Sequence, residues 1–198
     1  MGGNPDSSQI LYNGNIYGVA SIVGAFGYGG VFELKHSHTG WIESLLYSFT
    51  GASGDGAYPY GGVVFDKSGN LYGTTDEGGA FGYGTVLELA PSGSGWTETV
   101  LYSFTRGGDG AYPFAGVILD KAGNLYGSTY GNNGPIYGSA FELQKSGSSF
   151  TEHTLYTFSG GSDGAGPAGQ LALRGGKLYG AAYTGGTNNV GVVYEIIP

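Results

Sequence analysis

The chain has 198 residues and a net charge of −8, with 7 basic against 15 acidic side chains. This balance disfavours nucleic acids and anionic membrane surfaces as partners, because both need basic patches on the protein. No apolar run is long enough to span a membrane, and with no cysteine a disulfide framework is excluded. Glycine accounts for 43 residues, yet 17 Tyr and 10 Phe supply enough apolar surface for a folded core.

Two short phrases recur four times along the chain. The first is Asn-Leu-Tyr-Gly or a close variant, and the second, which follows about fifteen residues later, is Val-Leu-Glu-Leu or a close variant. The tyrosines of the first phrase are Tyr17, Tyr72, Tyr126 and Tyr179, so the steps are 55, 54 and 53 residues. The glutamates of the second phrase, Glu33, Glu88, Glu142 and Glu195, keep the same steps. We therefore expect one repeat domain over residues 1–198, with repeats at about 8–61, 62–115, 116–168 and 169–198.

Each complete repeat predicts four short strands. The first repeat begins with a strand at Gln9–Tyr12 and ends with one at Trp41–Thr50. The second repeat shows the whole pattern, with strands expected at Gly62–Asp66, Asn70–Thr75, Thr85–Ala90 and Trp96–Thr105. These segments are rich in β-branched and aromatic residues and are separated by Gly- and Ser-rich turns. No segment has helical periodicity of adequate length.

The fourth repeat predicts only three strands, at Gln170–Leu173, Lys177–Ala182 and Val190–Ile197. It lacks the outer strand that carries Leu-Tyr-Ser-Phe in the second repeat, so fifteen strands are expected instead of sixteen. The last strand then becomes an apolar edge, and such an edge is a template for pairing with another chain. This edge is a predicted oligomerisation surface, and it comprises Val190, Val192, Val193, Tyr194, Ile196 and Ile197.

Four antiparallel strands in a period of about 54 residues are typical of a β-propeller blade. The predicted fold is therefore an all-β, four-bladed β-propeller whose last blade lacks its outer strand. A β-sandwich or a β-helix with tandem duplication is the alternative.

The repeat resembles two known families. Gly-Asn-Leu-Tyr-Gly, Val-Leu-Glu-Leu and Trp-Thr-Glu are similar to the kelch blade. Closer is the bacterial tandem-repeat family called GloVer, or choice-of-anchor, which the chain resembles over nearly its whole length at Leu101–Thr105, Asp109–Pro113, Gly123–Gly127 and Phe141–Leu143. The resemblance implies an exported, surface-anchored bacterial protein with a propeller-like fold and no assigned activity. This sequence departs from the family pattern in having no visible export signal or C-terminal anchor.

Propeller topology predicts that two sets of loops emerge on one face. These are the loops between the second and third strands of each blade and the connections from one blade to the next. They bring together the predicted ligand-binding residues Tyr28, Tyr58, Tyr83, Tyr112, Tyr137, Asp55, Asp109 and Asp163. Rigid aromatic side chains on Gly-rich loops suit recognition of a glycan or protein, because their ordering costs little conformational entropy. The alternative is that the tyrosines pack between blades and that each Asp next to Gly only forms a turn.

No constellation of residues predicts catalysis or metal binding. Glu33, Glu88, Glu142 and Glu195 recur at one phase of every repeat, which indicates a structural role as hydrogen-bond acceptors instead of a glycosidase pair. His36 and His38 have no nearby third ligand, and the carboxylates lack the clustering that calcium requires. Asp76 and Glu77 form the only pair that breaks the repeat symmetry, and the loops at Gly131–Pro135 and Thr187–Asn189 vary most.

The expected function is a non-enzymatic binding or scaffold module, secreted or on a bacterial cell surface, that needs no cofactor. Its partner would be a glycan or a surface protein held by the aromatic loop face. One alternative is a structural subunit that forms homo-oligomers or filaments by strand complementation of the fourth blade. The other is a carbohydrate-active enzyme that uses Asp76 and Glu77.

Overall fold

A computed structural model describes Pro5, residues 7–131 and residues 136–198. These residues form eighteen β-strands and no helix. In chain order the strands are β1 (Ile10–Tyr12), β2 (Asn15–Ala20), β3 (Gly30–Ser37), β4 (Gly40–Ser48), β5 (Gly56–Ala57), β6 (Val64–Phe65), β7 (Leu71–Thr75), β8 (Glu77–Gly78), β9 (Thr85–Ser92), β10 (Gly95–Ser103), β11 (Ile118–Leu119), β12 (Leu125–Thr129), β13 (Ser139–Ser146), β14 (Ser149–Thr157), β15 (Ala165–Pro167), β16 (Ala172–Arg174), β17 (Lys177–Thr184) and β18 (Val192–Ile196).

The strands form four antiparallel sheets arranged as a four-bladed β-propeller, which confirms the predicted fold. Blade 1 has the order β1-β2-β3-β4, blade 2 has β6-β7-β9-β10, and blade 3 has β11-β12-β13-β14. Blade 4 contains β16, β17 and β18 and, among the described residues, no outer strand, as predicted. The three remaining strands are short: β5 pairs with β8, and β15 pairs with the far end of β17.

Strand boundaries differ from the predicted ones mainly at the inner strands. The strand predicted at Gly62–Asp66 is reduced to β6, because the Asp66 carboxylate accepts hydrogen bonds from the backbone N–H groups of Ser68 (2.8 Å) and Asn70 (2.9 Å) and so begins the turn. At the last strand, Val190 and Ile197 lie outside β18. The predicted edge is therefore shorter than the segment from which it was expected.

The recurring Leu-Tyr-Gly phrase sets the register inside each blade. Its tyrosine lies opposite the recurring glutamate, as in Tyr17 opposite Glu33. Its glycine lies opposite an aromatic residue in three blades: a Cβ at Gly127, for example, would come within 2.5 Å of the Phe141 ring. The glycine thus makes room for the cross-strand aromatic ring that fills the space between blades.

Each blade buries apolar side chains against the next blade. Phe104, at the end of β10 in blade 2, is fully buried, and its ring centroid lies 5.1 Å from that of Phe141 in blade 3. Separate apolar clusters join blades 1 and 2, blades 2 and 3, and blades 3 and 4. The stability of every blade therefore depends on its neighbours.

A glycine and a proline also meet at each of these blade junctions. Gly84 has a φ of +96°, and a Cβ there would lie 2.4 Å from Cδ of Pro113 in the connection to the next blade. Gly29 makes the same approach to Pro59, and Gly138 to Pro167. A side chain at any of these glycines would be strained by the backbone conformation and would also collide with the proline.

Replacing Phe104 with Ala should lower the free energy of unfolding by about 3–5 kcal/mol, because the substitution leaves a cavity between two blades. Chemical denaturation measures this loss. Phe81→Ala is the matched control: the Phe81 side chain is 58% exposed, so its removal should change stability by no more than about 0.5 kcal/mol. Equal losses in the two variants would contradict the assignment of the core to the blade junctions.

Candidate functional site

The loops predicted to share one face are joined by backbone hydrogen bonds. The N–H of Tyr58 donates to the carbonyl of Tyr28 (2.8 Å), and the N–H of Tyr112 donates to the carbonyl of Tyr83 (3.0 Å). The N–H of Gly166 donates to the carbonyl of Tyr137 in the same way (2.9 Å). The loop inside one blade and the loop that leads to the next blade are thus held together as predicted.

Five of the predicted ligand-binding residues are tyrosines, and each has a partner on this face. The Tyr28 and Tyr58 rings lie 5.6 Å apart between centroids, and the Tyr83 and Tyr112 rings lie 6.1 Å apart, both in edge-to-face geometry. The guanidinium of Arg106 lies 5.3 Å from the centroid of Tyr83. The ring of Tyr137 lies over Gly160, where a Cβ would come within 2.5 Å of it.

Tyr58 and Tyr112 have a backbone conformation that tyrosine rarely adopts. Their φ angles are 57° and 60°, in the left-handed region, and Gly166 occupies the equivalent place in the next repeat with a φ of 63°. A non-glycine residue in this region stores about 1–3 kcal/mol of strain, and such residues concentrate at functional sites. The strain makes Tyr58 and Tyr112 candidates for a role beyond packing.

The three predicted aspartates are each bonded within their own loop. Asp55 accepts hydrogen bonds from the N–H and hydroxyl of Thr50 at 2.8 and 2.6 Å. Asp109 does the same with Thr105, and Asp163 with Ser159. Burial alone would raise the pKa of Asp109, but hydrogen bonds, chiefly those from Thr105, outweigh that effect and lower it. These carboxylates hold their loops in shape, and the prediction that they bind a ligand stays untested.

A cavity of about 500 Å³ opens on the same face, above blades 2, 3 and 4. Aromatic side chains form most of its wall, and one carboxylate adds a charge. Its lining residues are Asp76, Tyr112, Phe114, Tyr130, Gly131, Ala168 and Tyr183. We call this cavity the aromatic pocket. Of the eight residues predicted to bind ligand, only Tyr112 lines it.

The aromatic pocket lies where the four repeats differ from one another. One position lies four residues after the recurring tyrosine, at the end of the second strand of each blade. In the four repeats it is occupied by Ser21, Asp76, Tyr130 and Tyr183. Three of these four residues line the pocket. The position two residues after Tyr112 is equally variable, with Tyr60, Phe114 and Ala168 in successive repeats. The residues that form the blades recur in every repeat, whereas the residues that line the aromatic pocket differ from repeat to repeat.

Asp76 differs from the loop aspartates in its surroundings. Its backbone N–H donates to the carbonyl of Tyr58 (3.0 Å), but no described residue hydrogen-bonds to its carboxylate. Burial and, to a lesser degree, the negative charge of Glu77 raise the pKa of Asp76 to about 6. The pocket thus presents an acceptor group that changes its protonation state near neutral pH.

The aromatic pocket adjoins a second cavity on the propeller axis. This channel, of about 450 Å³, is lined by the inner segments of all four repeats, including Gln9, Gly62, Gly116 and Gln170. Phe114 and Ala168 line both cavities, and the rings of Phe114 and Tyr60 stack at 4.8 Å across the channel mouth.

Three of the four recurring glutamates, Glu33, Glu142 and Glu195, accept hydrogen bonds, as predicted. The Tyr17 hydroxyl donates to Oε1 of Glu33 (2.7 Å), and the Tyr126 hydroxyl donates to Oε1 of Glu142 (2.9 Å). In blade 4, Lys177 forms an ion pair with Glu195 (2.6 Å). No group of three or more potential metal ligands occurs among the described residues.

Sequence reasoning missed Phe114, Tyr130 and Tyr183 and assigned Asp76 only to an enzymatic alternative. A position-by-position alignment of the four repeats contains the signal, because it isolates the variable positions that line the pocket. The variable loop expected at Gly131–Pro135 borders the pocket at Gly131, but residues 132–135 lie outside the described residues.

Comparison with known proteins places the chain in a family. No curated protein matches it. Among solved structures it is similar to an alpha-L-arabinofuranosidase from Clostridium thermocellum, with a TM-score of 0.57 and 16% identity, over 96% of this chain and 66% of that one. That similarity shows the fold alone.

Within the described residues there is no helix of the length and apolarity needed to cross a bilayer. A family model matches residues 2–198, so the chain belongs to the Gloeobacter/Verrucomicrobia repeat family.

Proposed function

We propose that this protein is a carbohydrate-binding propeller that holds a neutral sugar in the aromatic pocket. One observation carries the proposal: the positions at which the repeats differ place three aromatic rings around a single cavity, together with one carboxylate to which no described residue donates a hydrogen bond. Structural demands are the same in every blade, so they do not account for differences concentrated at one place.

The chemistry of the wall suits a sugar ring. Sugars present apolar C–H faces and polar edges, and aromatic side chains pair a flat apolar surface with little loss of conformational freedom. Tyr112, Tyr130 and Tyr183 also carry hydroxyl groups that donate and accept hydrogen bonds. The Asp76 carboxylate accepts from sugar hydroxyls but repels an acidic sugar, as does the net charge of −8. A neutral glycan fits both features.

Binding is favoured over hydrolysis because, of the described residues that line the aromatic pocket, one carries a carboxylate. Glycoside hydrolysis by the usual route needs two, about 5–10 Å apart, on either side of the scissile bond. The arabinofuranosidase with a similar fold keeps hydrolysis as the second candidate, with Asp76 and Glu77 as its acid and base. Release of a chromogenic group from an aryl arabinofuranoside, abolished by Asp76→Asn, would establish that candidate in place of simple binding.

The proposal includes a location outside the bacterial cell, secreted or at the cell surface, where glycans are available as partners. The composition supports this, with abundant Gly, Ser, Thr and Tyr and few Lys. Fractionation of the cells that make the protein tests the location separately from the binding.

Removing part of the aromatic wall should weaken binding. Tyr112→Ala and Tyr183→Ala should each weaken the affinity for a neutral oligosaccharide by about two- to tenfold, since loss of one stacked ring costs about 0.5–1.5 kcal/mol. A glycan array that includes arabinose-containing oligosaccharides identifies the ligand, and isothermal titration calorimetry measures the affinity.

Two matched controls make this test specific. Phe26→Ala and Phe81→Ala remove aromatic side chains that are 59% and 58% exposed but do not line the pocket, so binding should persist. Tyr183 is itself 73% exposed, so its loss should leave the fold intact. Equal binding by the wild type and the Tyr112 and Tyr183 variants would refute the assignment of the pocket.

The protonation of Asp76 should make stability depend on pH. Because its pKa is raised from 3.8 to about 6 in the folded state, the folded protein binds this proton more tightly than the unfolded chain does. Its contribution to stability is therefore greatest below about pH 4 and is lost as pH rises to about 6. Asp76→Asn should remove this loss and be more stable than the wild type at pH 7 by about 1–2 kcal/mol, but not at pH 4.

Asp66→Asn is the control, and its expected effect on stability at pH 7 is opposite in sign to that of Asp76→Asn. Burial alone would raise the pKa of Asp66, but hydrogen bonds from Asn70, Ser68 and Tyr72 outweigh it and lower the pKa. That group stabilises the fold above its unfolded pKa, so its replacement should destabilise the protein at pH 7. Urea unfolding at pH 4 and pH 7 measures both effects. A pH dependence unchanged by Asp76→Asn would show that Asp76 titrates normally.

A further inference from the structure

The aromatic pocket and the channel on the propeller axis meet at one position of the repeat. This position directly follows the proline of each blade connection, and it is occupied by Tyr60, Phe114 and Ala168. All three residues line the channel, and Phe114 and Ala168 line the aromatic pocket as well. The two cavities therefore adjoin where the connections into blades 3 and 4 carry a phenyl ring and a methyl group.

A second position of the repeat, two residues further along the chain, changes size in the reverse direction. It is occupied by Gly62, Gly116 and Gln170, and all three line the channel. The alignment holds through this segment, because the next residue is in each case an apolar core residue at most 5% exposed: Val63, Val117 and Leu171. Blades 2 and 3 thus have a ring followed by a glycine, whereas blade 4 has an alanine followed by a long polar side chain.

Packing explains the two glycines but not Gln170. A Cβ at Gly116 would lie 2.2 Å from the carbonyl oxygen of Gly62, so a larger residue there would force blades 2 and 3 apart. Gln170 is exposed, so no core contact requires a glutamine at that position. A difference that is confined to one repeat and has no packing cause indicates a functional demand, as it does for the residues of the aromatic pocket.

One hydrogen bond orients the Gln170 amide. Its Nε2 donates to the carbonyl of Val117 in blade 3 (3.1 Å). No described residue bonds to the side-chain oxygen or to the second N–H of this amide. An amide oxygen accepts two hydrogen bonds, and each amide N–H donates one. Gln170 therefore offers both a donor and an acceptor to a ligand in the channel.

Aromatic surface extends from the pocket into the channel. The Tyr60 and Phe114 rings are stacked, with their centroids 4.8 Å apart and their planes 18° from parallel. The Phe114 ring also lies 6.3 Å from the ring of Tyr130 in the aromatic pocket. None of the described residues that line the channel has a charged side chain. An apolar ring surface beside an uncharged amide suits a neutral polar ligand.

We propose that the channel is a second sugar subsite, so that the protein binds a neutral oligosaccharide across both cavities. This subsite rests on the proposed function, because the aromatic pocket holds the first sugar. The next sugar lies between Phe114 and Ala168, packs its C–H face against the Phe114 ring, and bonds through its hydroxyl groups to the Gln170 amide. The channel volume of about 450 Å³ falls within the range of about 300–1,000 Å³ that is usual for small-molecule sites.

Isothermal titration calorimetry with neutral sugars of increasing length tests this subsite. The probes are arabino-, xylo-, cello- and manno-oligosaccharides of one to four residues. In a series that binds, the affinity of the wild type should rise by about fivefold or more from the one-residue to the two-residue sugar. The reason is that the second sugar adds both a ring contact and hydrogen bonds.

Gln170→Leu removes the amide but keeps the size of the side chain. It should lower the affinity for the two-residue sugar by about two- to tenfold. The affinity for the one-residue sugar should stay the same, because Gln170 does not line the aromatic pocket. Gln144→Leu is the matched control: Gln144 is an exposed glutamine on β13 that lines neither cavity, so its replacement should change neither affinity. Circular dichroism and urea unfolding establish that the variants fold.

Ala168→Phe is a second, independent variant, which restores the aromatic ring that the other two connections carry. It should narrow the passage and remove the affinity gained from the second sugar. The same gain in the wild type and in both the Gln170 and Ala168 variants would overturn the channel subsite and leave sugar binding in the aromatic pocket standing. Failure of every probe to bind would also overturn the subsite, and the glycan array would then decide separately whether the aromatic pocket binds another neutral glycan.

Discussion

Burial of the apolar sheet faces that meet between neighbouring blades is the constraint on which this structure depends. A blade of four short strands has apolar side chains on either side, and neither side can be left to water without loss of stability. Contacts such as Phe104 on Phe141 meet that requirement by joining each blade to the next. The loops are thus carried by a rigid platform. Loop residues with strained or exposed conformations, such as Tyr112, are held in place by structure that lies beneath them.

Repetition separates structural roles from functional ones in this molecule. The recurring tyrosine lies opposite the recurring glutamate in every blade, and in blades 1 and 3 its hydroxyl donates a hydrogen bond to that glutamate. Functional demands act on one place only, and the repeats are free to differ there. The aromatic pocket satisfies that condition, because Asp76, Tyr130 and Tyr183 occupy one repeat position with different side chains. Internal comparison of the repeats thus takes the place of an alignment of relatives.

Much of the fold was predictable from the sequence because it rests on local signals repeated several times. The period, the fifteen blade strands and the missing outer strand all follow from phrases such as Leu-Tyr-Gly, whose glycine is dictated by the ring opposite it. The aromatic pocket was harder to predict from the sequence. Recognising Tyr130 and Tyr183 as neighbours requires the angle between blades, which no local pattern encodes. The bonding of Asp55 and Asp109 within their loops depends equally on threonines whose placement only the folded loop defines.

The glycine–proline contacts at the blade junctions limit how the number of repeats can change during evolution. In each of the first three repeats the proline near the end of the repeat occupies the space above a glycine of the same repeat, so each of these repeats carries both halves of one joint. A gene duplication that copies one whole period therefore brings both halves with it and creates no mismatched junction. A duplication that contained only the glycine or only the proline would separate the two halves of a joint. Repeat number can thus evolve in whole steps, while residues outside the joint, including those of the aromatic pocket, diverge independently in each copy.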